Sequence, residues 1–121
     1  MLDKGRATLI GKQGEYLYDC PLDRRFLEFV GLKAAALKAQ LAKDKGDGEI
    51  LEWINANAKF KRSELEIAAW SAYVEQRVPK DPETRDYVNT AHKKYGPKRE
   101  DIATFFDLLD LDDYVSFGGK A

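Results

Sequence analysis

A chain of 121 residues, 44% hydrophobic and 34% charged, has the size of one domain and can bury a core without metal or disulfide support. Its 20 Lys and Arg against 21 Asp and Glu leave a formal net charge of −1, which gives no long-range field to draw in nucleic acid or an anionic membrane. Cys20 is the only cysteine, so no internal disulfide forms, and no stretch has the length of a signal peptide's apolar run or of the ~20 apolar residues of a membrane helix. The sequence therefore reads as cytoplasmic.

In chain order, residues 2–10 predict a short helix with Leu2, Leu9 and Ile10 as its apolar positions, ended by Gly11 and a turn at Gly14. Glu15 to Tyr18 alternates polar with apolar or aromatic residues, the pattern of a short strand or an extended connector. Pro21 biases Cys20 toward extended backbone, and Asp19 or Asp23 is placed to cap the helix that follows. That helix carries Phe26, Leu27, Phe29 and Val30 and stops at Gly31. Residues 32–43 are rich in strong helix formers, with Leu37 and Leu41 on one face. After a loop at 44–48, with Asp47 as the expected cap, Ile50, Trp53, Ile54 and Ala58 mark a helical stripe.

Ser63 and Glu66 have capping-box spacing and open a helix with Ile67, Trp70, Tyr73 and Val74 as the expected inward positions, closed by Pro79. Asp81-Pro82 starts another, with Val88, Ala91 and Tyr95 inward and Gly96-Pro97 at its end. Residues 99–109 place Ile102, Phe105, Phe106 and Leu109 at helical spacing, with one more turn expected over 111–117. The fold expected is all-α: a compact single-domain bundle over residues 1–121, of about five to seven short helices with one short extended connector.

Candidate chemistry concentrates between Gly14 and Phe29. Cys20 ahead of a helix N-terminus is a candidate nucleophile or redox-sensing thiol, with His92 as its base; the plainer reading is a small buried hydrophobe. Asp19 and Asp23 are candidate acid/base groups, although Arg24 and Arg25 nearby make ion pairing the simple explanation. Tyr16, Tyr18 and Glu15 are candidate ligand-binding groups: the two tyrosines would share a face of an extended segment, lining a small polar pocket or sealing the bundle edge. His92, among lysines, reads as a solvated surface histidine.

No metal site and no cofactor is expected, because one His and one Cys cannot complete a zinc site. The run Asp107, Asp110, Asp112 and Asp113 lacks the glycine and terminal glutamate of a calcium loop; Asp110 is the expected cap of the last turn, with Asp107 and Asp113 solvated. The aromatics Trp53, Trp70, Tyr73, Phe105 and Phe106 read as core. Charge balance argues against nucleic acid, even with local basic clusters at Lys59–Arg62 and Lys93–Arg99, and leaves a protein partner or a small ligand.

Several segments together carry a family resemblance. Gly14-Glu15-Tyr16, Tyr18 through Asp23, Phe26-Leu27-Glu28-Phe29, Glu66 through Ser71, Arg99 through Ile102 and Asp110 through Tyr114 resemble the bacterial domain-of-unknown-function family numbered five thousand and sixty-nine. The resemblance spans nearly the whole chain and implies no catalytic residues. Members of that family carry a further N-terminal segment with a proline-arginine pair, so the resemblance implies a shortened or engineered chain. The functional expectation is a small cytoplasmic binding or interaction module; the competing one is a small enzyme or redox-sensitive protein centred on Cys20 and its Tyr and Asp neighbours.

Overall fold

The computed structural model describes residues 1–121 and contains seven α-helices and no strand: α1 (Leu2–Leu9), α2 (Pro21–Val30), α3 (Ala34–Leu41), α4 (Asp47–Asn57), α5 (Glu64–Glu75), α6 (Pro82–Tyr95) and α7 (Phe105–Ser116). The all-α expectation holds. The helices fall into two compact units, Met1–Ser63 and Glu64–Ala121.

The first unit is built on Leu27, Leu37, Leu41, Ile50 and Ile54, with Met1, Leu2, Phe26, Leu32, Ala34 and Trp53 packed around them. Leu37 and Ile50 are fully buried, each contributing on the order of 1.5–3 kcal/mol. Helix α2 starts where Pro21 occupies its first position and Cys20 is extended (φ −69°, ψ 168°), which suits a ring with no N–H to offer. It ends at Gly31 in the left-handed region (φ 71°). There the Gly31 and Leu32 N–H groups donate back to the Glu28 and Leu27 carbonyls. That closure holds Leu32 outside the next helix, so α3 begins at Ala34 and not at 32 as the helix formers predict.

A side chain at Gly31 would strike Lys59 Cβ at 2.7 Å and the Phe60 ring at 2.9 Å, because the segment leaving α4 passes over it. The basic cluster there does structural work. Arg62 donates to the Phe29 carbonyl and stacks on the rings of Phe29 and Phe60, while Lys61 donates to the Asn55 and Ala56 carbonyls at the end of α4.

The start of α4 corrects one expectation. Gly46 is the cap and Asp47 the first helical residue; Glu49 accepts the Gly46 N–H at 3.0 Å, and Asp47 binds Arg6 of α1 at 2.6 Å. Glu49 reaches back further than Asp47 can, so the three-residue offset decides the frame.

In the second unit, Asp81 caps α6 through the Thr84 N–H, as its spacing predicts. Helix α6 packs on α7, where Leu108 and Leu111 are buried; a Cβ on Gly96 would lie 3.1 Å from Leu111. Helix α7 starts at Phe105, not at 99. The Thr104 hydroxyl accepts the Asp107 N–H, and Asp107 accepts the Thr104 and Ala103 N–H groups, which holds its carboxyl below the ordinary value. Thr104 is therefore the cap and Asp107 its reciprocal partner three residues on, not a solvated residue, while Asp110 sits mid-helix and caps nothing. Leu109 turns outward at 41% exposure, and Leu108 and Leu111 take the inward stripe.

Two glycines separate packing from helix propensity. A Cβ on Gly5, buried in α1, would lie 2.5 Å from Leu41 Cδ1 and 3.0 Å from the Tyr18 ring, whereas Gly48 in α4 has nothing within 4 Å. Alanine favours either helix by about 1 kcal/mol, but overpacking at a filled site costs about 1–3 kcal/mol. Urea unfolding is expected to show Gly5→Ala destabilised and Gly48→Ala stabilised.

Candidate functional site

The connector from Gly11 to Cys20 contains no strand. Gly11 and Gly14 take left-handed backbone, the Tyr16 N–H closes a turn on the Gln13 carbonyl, and Asp19 is also left-handed (φ 64°). Aspartate is among the few non-glycine residues that adopt this region at modest cost. Its N–H is held by the Asp23 carboxylate at 3.0 Å, one turn into α2. So Asp23, at 5% exposure, closes the strained turn from inside the helix it opens.

Asp23 is also the centre of an ion pair. Lys4 Nζ of α1 lies 2.9 Å from Asp23 Oδ2 and donates to Cys20 Sγ at 3.2 Å. Burial alone would lower the Lys4 pKa, but hydrogen bonds and attraction to Asp23 and Cys20 outweigh it and hold the ammonium above its ordinary value. Outside this pair, Arg24 forks over Asp19 at 3.1 and 3.5 Å. Tyr18 donates its hydroxyl to the Ala34 carbonyl at 2.9 Å, with its ring on Gly5 and the Lys38 ammonium 5.9 Å above it. Burial first, then the charges of Asp23 and Asp19, push the Tyr18 phenol up to about 12.

The structure thus brings Asp19, Cys20, Asp23 and Tyr18 together around Lys4, a residue sequence reading passed over. A lysine sixteen positions from its thiol partner leaves no periodic signal. Glu15 and Tyr16 stay apart from this cluster in character: Glu15 is exposed and Tyr16 is 44% exposed, while Tyr18 turns inward. The turn at Tyr18–Asp19 breaks the alternation that would have put both tyrosines on one face. His92 stands on α6, in the second unit. Its ring nitrogen Nε2 lies 2.7 Å from the Arg99 carbonyl, which can only accept, so Nε2 carries the proton. The ring is half-buried and ties the end of α6 to the turn where Arg99 pairs with Asp101, whose carboxyl that pairing lowers to about 2.

A second feature lies on α5. Its inward side consists of Trp70 and Val74, with Ile67 at their edge at 49% exposure. The opposite side carries Leu65, Ala68, Ala69, Ala72 and Tyr73 at the i, i+3, i+4, i+7, i+8 spacing of one helix face, all exposed. Leu65 is 78% and Tyr73 52% exposed. Tyr73 therefore leaves the core stripe expected of it: at 100° per residue it stands well round from Val74. Trp70, Phe105 and Phe106 are half-buried, not deep core. The signal for this face was in the sequence, since a helix apolar on two sides cannot bury both against one neighbour.

Removing the ammonium leaves Asp23 charged in a buried position, so Lys4→Met is expected to cost about 3 kcal/mol in urea unfolding. Alkali drains the same region. Both folded pKa values stand above the ordinary 10.5 of Lys4 and 10.0 of Tyr18, so their stabilisation is complete below those values and is lost as pH rises through the folded ones. Between pH 10 and about 12 the stability of Tyr18→Phe should fall less steeply than that of the parent; equal slopes would contradict the assignment.

A family model described as a domain of unknown function (DUF5069) matches residues 1–115. No curated protein matches the chain.

Proposed function

The chain belongs to the DUF5069 family, and from its geometry we propose that it is a small cytoplasmic interaction module that binds a protein partner through the outward face of α5. One observation carries this reading. A helix already packed on one side by Trp70 and Val74 exposes a continuous second apolar face of Leu65, Ala68, Ala69, Ala72 and Tyr73. Exposed apolar side chains arranged contiguously on one rigid element are the mark of an interaction surface, whereas scattered ones are ordinary. The three alanines let a partner's backbone come close, and Leu65 and Tyr73 offer larger contacts at either end.

A second reading, a redox-sensitive protein or small enzyme, has the Lys4 ammonium on Cys20 Sγ in its favour, since a cation beside sulfur is the setting of reactive thiols. Against it, Lys4 is bound more closely to Asp23, and Asp23 and Asp19 are engaged in closing the turn and pairing Arg24. Those contacts describe a joint.

A photoreactive phenylalanine derivative in place of Tyr73, expressed in cells, is expected to give a discrete covalent protein adduct that the same group in place of exposed Tyr87 on α6 does not. The adduct should vanish with Leu65→Asp and persist with Cys20→Ser. No adduct at Tyr73, or the same products from Tyr87, would dismiss the module; loss of the adduct in Cys20→Ser with the fold intact would favour the redox reading.

A further inference from the structure

We draw no further inference here: the strongest candidate, the contact between Lys4 of α1 and Cys20 at the start of α2, belongs to the joint already described, and its lone thiol has nothing beside it that points to a ligand.

Discussion

The ion pair between Lys4 and Asp23 holds the first unit in register. Asp23 is buried, and a buried carboxylate without a cation is far more costly than the hydrogen bonds it makes can offset. Lys4 supplies the cation from α1, so α1 must lie where Gly5 meets the Tyr18 ring and Leu41. From the same carboxylate the strained Asp19 turn is closed, which fixes the direction in which α2 leaves Pro21. One carboxylate therefore sets the angle of α2, the seat of α1, and the space into which Tyr18 folds to reach Ala34.

Much of the helix plan was readable because local signals were strong. Asp81-Pro82, Gly31 and the leucines of α3 are where spacing and capping chemistry point. The misreadings lie at helix ends. At α4 and α7 the start is set by a capping box, in which Glu49 and Asp107 reach back three positions to the N–H groups of Gly46 and Thr104. At Leu32, the closure of α2 at Gly31 overrode good helix formers by taking the Leu32 N–H for itself. These are tertiary or next-neighbour decisions that residue propensities do not contain.

The candidate site was half legible. Cys20, Asp19 and Asp23 did converge, but the residue that organises them, Lys4, lies in another helix and was invisible to spacing. Tyr16 and Tyr18 were paired by an alternation that a left-handed turn interrupts. The exposed face of α5 is written as Leu65, Ala68, Ala69, Ala72 and Tyr73, but Tyr73 lies close enough to the stripe of Ile67, Trp70 and Val74 to read as core. The segment from Gly14 to Phe29 thus stands as a joint rich in polar contacts, and the proposed working surface lies on a helix with few.

That division rests on Asp23 depending on Lys4, which a double-mutant cycle measures directly. With Lys4→Met, Asp23→Asn and both together, unfolding free energies should show a coupling of about 2 kcal/mol, because each single change strands what the other removes. Effects that add within about 0.5 kcal/mol would mean that Asp23 is satisfied without Lys4, and the joint would not be the one described.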